Sequence, residues 1–266
     1  MNITNIKEYI EESGQKSPYL TYANNHMTQF GEDGIIRQLM VELDLISEDN
    51  VVCEFGAWDG VYLSNVYDLW RYNGLKAILI ESNGTRLNEL NKISTKYSNV
   101  NVIGASVSSN VGNGNSLDNL IDNLKLGVND DNFALLSIDV DGADYHIWSS
   151  IEKYRPIIVL VEIAGGWGID EEYIGQGASL KSLYKLGLGK GYTLVCSTGN
   201  AFFVRDDKVS SLKHFDKEAT HQDYYIADEL VNSILSNLNE DGDILEYVRF
   251  NHPSYLTIVE EEKANL

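Results

Sequence analysis

Positive charge is scarce in this chain. Twenty lysines and arginines stand against 40 aspartates and glutamates, a formal net charge of −20 over 266 residues. A protein that grips nucleic acid needs a basic face. Here Lys and Arg are scattered, and the C-terminal end carries Glu260-Glu261-Glu262. Nucleic acid and anionic membranes are therefore not expected as partners, although a local pocket can still admit a small phosphate-bearing substrate. Cysteine is also scarce. Cys53 and Cys196 both fall in strand-like runs, which reads as buried thiols in a reducing compartment. No apolar run approaches the roughly 20 residues of a membrane span. The stretch from Met1 to Glu8 lacks the basic-then-apolar order of a secretory signal. Together these absences predict a cytoplasmic protein without membrane insertion. Zinc-ligand spacing, a Walker loop and a Ser-His-Asp framework are missing as well.

What is present is βα alternation. Hydrophobic content of 43% supports one large α/β domain, alone or with an appendage. Residues 1–50 read as an N-terminal helical segment, including a helix over 32–45 with Ile35, Ile36, Leu39, Met40 and Leu43 on one face. Residues 51–206 read as a Rossmann-like core. Strands are expected at 51–55, 77–81, 100–104, 134–140 and 157–163, with helices over 61–73, 84–96, from 116, from Asp144 to Glu152, and over 178–188. The stretch from Ala164 to Gly177 reads as an irregular substrate loop. Strands 192–197 and 200–204 are joined by Thr198-Gly199 only, too short for a parallel crossover, so a hairpin is expected. Residues 207–266 read as an acidic, mainly helical appendage (helix 226–238), a cap or a homo-oligomer contact.

The first strand ends in Glu54-Phe55-Gly56-Ala57-Trp58-Asp59-Gly60, and the second in Ile80-Glu81, 21 residues past Gly60. A glycine turn followed at that distance by a strand-end acid is the layout of a nucleoside site, with Glu81 accepting from the ribose hydroxyls. Gly56 allows the tight bend, and Gly60 is expected to let a ligand approach the following helix. The third glycine of the dinucleotide pattern is missing, and Glu54 sits where a pyrophosphate would be repelled. An acid there suits a cofactor with a cationic amino-acid end and no phosphate, as in S-adenosyl-L-methionine. The competing reading is that Glu54 and Asp59 form turn hydrogen bonds. Ser106 after the third strand falls at the expected adenine edge by position.

The fourth strand runs into Ser137-Ile138-Asp139-Val140-Asp141-Gly142, with His146 four residues further on. In an extended chain Asp139 and Asp141 project to one side. With Glu162 at the end of the fifth strand they form a candidate Mg²⁺ site. The metal would lower the pKa of a bound hydroxyl. Alternatively Asp139 binds the cofactor ammonium or a turn amide and Asp141 caps the next helix. His146, Asp139 and Asp141 are the candidate catalytic residues, with His146 suited to a general base near neutral pH.

These segments resemble class I S-adenosyl-L-methionine-dependent methyltransferases. They are more closely similar to the FkbM-like methyltransferases of bacterial polysaccharide and natural-product gene clusters. The matching stretches are Gln29-Phe30-Gly31-Glu32-Asp33-Gly34, Glu54 through Gly60, Leu63-Ser64-Asn65, Ile80-Glu81, Ser137 through Gly142, Gly177-Ala178-Ser179-Leu180, Gly191-Tyr192 and Asn200 through Val204. The resemblance implies a seven-stranded sheet with its last strand antiparallel. It also implies O-methylation of a sugar or nucleotide-activated sugar in surface (capsular) polysaccharide assembly, and places Gln29, Gly31 and Asn65 near the cofactor's amino-acid end. The family's Asp-x-Glu-Gly pattern is here Asp139-Val140-Asp141-Gly142, with a shorter second acid. Two other functions fit less well. An NAD-dependent sugar oxidoreductase lacks its third glycine and its catalytic set. A non-catalytic cofactor-binding module leaves the acids at the fourth and fifth strand ends without a purpose.

Overall fold

A computed structural model describes residues 14–226. Apolar runs rich in Val, Ile and Leu become strands, buried on both faces in the sheet interior as parallel sheets require and only part-buried at the edge strand β3. These are β1 Val51–Phe55, β2 Lys76–Glu81, β3 Val100–Gly104, β4 Phe133–Ile138 and β5 Ile158–Glu162. Helix α1 (Glu32–Glu42) precedes them, and α2 (Tyr67–Arg71), α3 (Gly84–Lys96), α4 (Leu117–Leu124) and α5 (Asp144–Ser150) connect them. The loop after β5 contains a two-residue ladder, β6 (Ile174–Gly175) with β7 (Gly177–Ala178). Then come α6 (Leu180–Lys190), β8 (Tyr192–Ser197), β9 (Asn200–Arg205) and α7 (Asp206–Val209).

The sheet order is β3-β2-β1-β4-β5-β9-β8. Strands β1 to β5 are mutually parallel, and β9 runs antiparallel to both β5 and β8. This is the expected Rossmann-like α/β sheet with its last strand reversed. Because side chains alternate across a strand, Val52 and Leu79 face α1, α2 and α3 through Leu39, Trp70 and Ile93. Cys53, Ile78 and Leu136 face α4, α5 and α6 through Ile121, Trp148 and Leu183. Cys53 and Cys196 are buried free thiols. The chain leaves β1 towards β2 and β3, then returns at β4 and grows the other way. Such a reversal opens a crevice at the carboxyl ends of β1 and β4.

Two expected elements are cut short by acids that capture their backbone amides. Of the helix expected over 61–73 only Tyr67–Arg71 forms. Asp59 Oδ1 takes the amides of Val61 (3.1 Å) and Tyr62 (2.8 Å), and Glu54 Oε1 takes that of Asn65 (2.7 Å), so acids hold this stretch as turns. Strand β4 stops at Ile138 because Asp144 captures the amides of Val140 (2.8 Å) and Gly142 (2.9 Å). At the N-terminal end, Ser17 donates to the Val195 carbonyl (2.6 Å), tying residues 15–22 to β8. Among the described residues no helix is long and apolar enough to cross a membrane. The expected helix over 226–238, beyond its first residue, and the acidic Glu260-Glu261-Glu262 lie outside the described residues.

Candidate functional site

A cavity of ≈ 660 Å³ follows the carboxyl ends of five adjacent strands, a size typical of small-ligand sites. Ala105 and Ser106 line it after β3, Glu81 at β2, Glu54 and Gly56 to Trp58 at β1, Asp139 and Asp141 after β4, and Glu162 at β5. Gln29 and Asn65 close one side. Every ionisable residue named in this lining other than Tyr62 is an acid: no lysine, arginine or histidine contributes to it.

The two glycines of the first turn do different work. Gly56 has φ +76°, and a Cβ there would lie 1.7 Å from the Asp139 carbonyl oxygen, so the β1 and β4 loops touch. Gly60 (φ +78°) does not line the cavity. A Cβ on it would meet Leu90 Cδ2 at 2.7 Å and Ile93 and Leu79 Cδ1 at 3.2 Å, so it serves packing against α3 and β2, which corrects the ligand-approach reading. Gly31 (φ +91°) is likewise outside the lining. It donates its amide to Asn25 Oδ1 (2.5 Å) and shapes the turn into α1. Its neighbour Gln29 does line the cavity, and its buried Oε1 has no hydrogen-bond partner.

Glu54 is buried, with Oε2 accepting from Ser64 Oγ (2.5 Å) and Oε1 from the Asn65 amide (2.7 Å). The turn hydrogen bonds weighed against a cofactor role are therefore present, while a second lone pair on each oxygen stays available. Burial pushes the Glu54 carboxyl up to about 8, against the pull of those two donors. Asn65 also donates Nδ2 to Ser137 Oγ (3.0 Å), linking the loop after β1 to β4. Glu81 is held by the Trp58 amide at Oε2 (2.9 Å) and the Asn83 amide at Oε1 (2.6 Å). Trp58, which the sequence reading passed over, has φ +49° and is 42% exposed at the cavity edge. The Arg86 guanidinium lies 4.1 Å from its ring centre, a cation–π contact.

At the other end, one carboxylate oxygen each from Asp139, Asp141 and Glu162 lies within 4.8 Å of the others. The convergence is as expected but its cause is not. Asp141 has φ +54° and is exposed, so a left-handed turn rather than an extended strand brings it in. Asp144, not Asp141, takes the loop amides before α5. Burial, reinforced by Asp144 and Asp141, pushes the Asp139 carboxyl up to about 7, and burial next to Asp139 pushes Glu162 up to about 8. The loop after β5 borders this end. Gly177 donates to the Gly142 carbonyl (2.8 Å), and Trp167 stacks on Tyr173 with ring centres 4.0 Å apart.

His146 is not brought to the site. It lies exposed on α5, its ring edge-on to Tyr145, and is absent from the cavity wall. The helical turn that buries Ile147 and Trp148 points residue 146 outwards. The buried Glu32 was also overlooked as a site residue. It accepts from Thr198 Oγ1 (2.8 Å), Asn200 Nδ2 (3.3 Å) and the Phe30 amide (2.7 Å), and its charge bears on Asp139. An acid at the first position of a helix capped by Gly31 could have been singled out from the Gln29–Gly34 stretch.

No family model matches the chain, and no curated protein matches it. Among solved structures it is similar to TrmK of M. capricolum in complex with S-adenosyl-homocysteine, at 14% identity and a TM-score of 0.43, covering 85% of this chain and 93% of that one. It is also similar to a SAM-dependent methyltransferase from Aquifex aeolicus (11% identity, TM-score 0.39, 75% and 97% covered). A third is the glycopeptide N-methyltransferase MtfA with S-adenosyl-L-homocysteine (11% identity, TM-score 0.40, 64% and 88% covered). These likenesses are distant, and the fold assignment rests on the strand order itself.

Proposed function

We propose that this chain is an S-adenosyl-L-methionine-dependent methyltransferase that methylates a hydroxyl of a sugar or nucleotide-activated sugar, as in surface-polysaccharide assembly. The observation that carries the reading is the cavity at the β1/β4 reversal, with a ribose-type acid at β2 and no cationic side chain in its lining. The residues fit the cofactor. Glu81 keeps lone pairs for a diol, Ser106 lines the cavity after β3 where the adenine would lie, and Gln29 Oε1 and Glu54 would offer acceptors to an ammonium group. A dinucleotide fits worse, because its pyrophosphate would face Glu54 and Asp139 with no compensating cation.

When bound, the cofactor supplies a sulfonium-activated methyl group, so that an S–CH₃ bond is exchanged for an O–CH₃ bond and the hydroxyl proton is released. The protein's part is alignment and proton removal. Asp139 is the best placed base, since its carboxyl at about 7 is matched to a neutral medium. Asp139, Asp141 and Glu162 also form an oxygen-only donor set for Mg²⁺, which would orient the hydroxyl and leave less need for a protein base. Titration calorimetry with S-adenosyl-L-methionine, S-adenosyl-L-homocysteine and NAD⁺ tests the proposal. Binding of the first two only, followed by methyl transfer to a sugar acceptor, is expected. Preference for NAD⁺, or no binding of the first two, would sink it.

A further inference from the structure

One side of the cavity is closed by two residues from different elements, Gln29 and Asn65. Asn65, just before α2, is fixed to the sheet: its amide donates to Glu54 Oε1 (2.7 Å) and its Nδ2 to Ser137 Oγ (3.0 Å). Gln29 sits on the turn that leads into α1, so its position depends on how that turn is held. Side chains wire the turn into one unit. Asp33 Oδ2 accepts from the amides of His26 (2.7 Å), Met27 (2.8 Å) and Thr28 (2.8 Å), and Asn25 Nδ2 donates to the Gln29 carbonyl (2.9 Å). A displacement at residue 26 is therefore passed on to residue 29.

The polar side of this turn adjoins a gap. A second cavity, of ≈ 260 Å³, lies between α1 and α2, its walls including Asp33, Ile36 and Arg37 on one side and Asp68, Leu69 and Asn65 on the other. Side chains facing a void lose the contacts that would lock two helices together, so a bridge beside it carries more of the alignment. His26 is such a bridge. Its Nδ1 stands 2.5 Å from Asp68 Oδ1, and because a carboxylate only accepts, Nδ1 is the donor. The His26 ring also lies beside those of Tyr67 and Tyr72, with centres 6.3 and 5.9 Å away.

We infer that His26 is a positioning residue for the cofactor: its hydrogen bond to Asp68 ties the turn that carries Gln29 to α2, and so holds Gln29 Oε1 where the ammonium group of the cofactor's amino-acid end is received. The inference rests on the methyltransferase reading and extends it to a residue outside the cavity wall. Because Asn65 already locks the start of α2 to Glu54 and Ser137, the element that moves when the tie is cut is the turn, and the effect passes through Gln29.

The test is calorimetric, on the full chain, with S-adenosyl-L-homocysteine and with 5′-methylthioadenosine, which keeps the nucleoside but has no amino-acid end. His26→Ala is expected to weaken S-adenosyl-L-homocysteine about tenfold, the worth of one charge-assisted hydrogen bond, and 5′-methylthioadenosine by less than about twofold. Gln29→Ala should cost about the same tenfold, and adding His26→Ala to it no more than about twofold further, since residues acting through one another are not additive. His26→Gln, which keeps a donor towards Asp68, should recover most of the affinity. If His26→Ala does not fold, Asp68→Ala cuts the same tie from α2 and carries the same expectations. If 5′-methylthioadenosine binds too weakly to measure, the double variant decides alone. Equal weakening of both ligands, or losses that add in the double variant, would make His26 a merely structural residue and overturn the inference. Unchanged S-adenosyl-L-homocysteine affinity would overturn it too, leaving the turn held by its buried Met27 and Phe30. Absence of S-adenosyl-L-homocysteine binding by the wild type instead removes the reading beneath it, and the inference with it.

Discussion

Gly56 packs so closely on Asp139 that a Cβ at Gly56 would sit 1.7 Å from the Asp139 carbonyl oxygen. That approach fixes the distance between the β1 turn and the β4 turn, which are the two walls of the cavity at the sheet reversal. Gly56→Ala adds both a backbone clash and a left-handed alanine at φ +76°. We expect a loss of at least ~2 kcal/mol of stability, measured by urea unfolding, with S-adenosyl-L-homocysteine affinity falling as well. A variant within 0.5 kcal/mol of wild type, the range of an ordinary surface substitution, would show that the loops can part freely.

Glu81 has two duties that substitution separates. It anchors the amides of Trp58 and Asn83, and it presents its remaining lone pairs to the cavity. Glu81→Gln keeps the size and one acceptor but loses the charge, so affinity for S-adenosyl-L-homocysteine should fall about tenfold, ~1.4 kcal/mol. Glu81→Ala should fall further and also lower the melting temperature, because two amides lose their partner. Unchanged affinity in both variants would remove Glu81 from the ligand site.

Stability should depend on pH in an unusual direction. Glu54, from an ordinary 4.5 to about 8, Glu162, also from 4.5 to about 8, and Asp139, from 3.8 to about 7, all hold their protons more tightly when folded, chiefly through burial. Between those values the folded state binds more protons than the unfolded one, so stability falls as pH rises through the window. Exposed acids such as Asp122, held low by Lys153 and Tyr154, act in the opposite sense, but only below about pH 4. The ligand-free protein should therefore melt higher at pH 5.5 than at pH 8.5. A flat or rising profile across that range would contradict the raised carboxyls. Cation binding should in turn displace protons, visible as buffer-dependent calorimetric heats at pH 7.

The strand ladder was legible because fully buried parallel strands write themselves as unbroken apolar runs. Ile80-Glu81 and Val161-Glu162 each mark where such a run leaves the core and meets the cavity. The two-residue Thr198-Gly199 link dictated the reversed strand. Buried acids that override local propensity were less legible. Asp59 and Glu54 convert an expected helix into turns by capturing its amides, and Asp144 shortens β4 in the same manner. Periodicity carries no record of such side-chain capture. Gly60 shows a further limit, because a glycine at positive φ reads alike whether it admits a ligand or a neighbouring Leu90. His146 shows another: nearness in sequence to Asp141 did not fix its direction on α5.

The proton acceptor can be decided between a residue inside the cavity and one outside it. His146 is exposed on α5 and touches Tyr145, so His146→Ala should retain methyl transfer within about twofold, with stability changed by no more than ~0.5 kcal/mol, as for other surface sites. Asp139 lines the cavity, and burial raises its carboxyl to about 7, towards the range of a general base in a neutral medium. Asp139→Asn removes that base without removing volume, so kcat should drop on the order of 10²–10⁴-fold. Cofactor affinity should change far less, because Glu54, Glu81 and Gln29 remain. If Asp139 is the base, the acidic limb of the wild-type pH–rate profile reports its ionisation and disappears from the residual activity of the Asn variant. If that limb persists in Asp139→Asn and vanishes in His146→Ala, the proton leaves through the helix surface, and α5 must turn towards the cavity during the reaction.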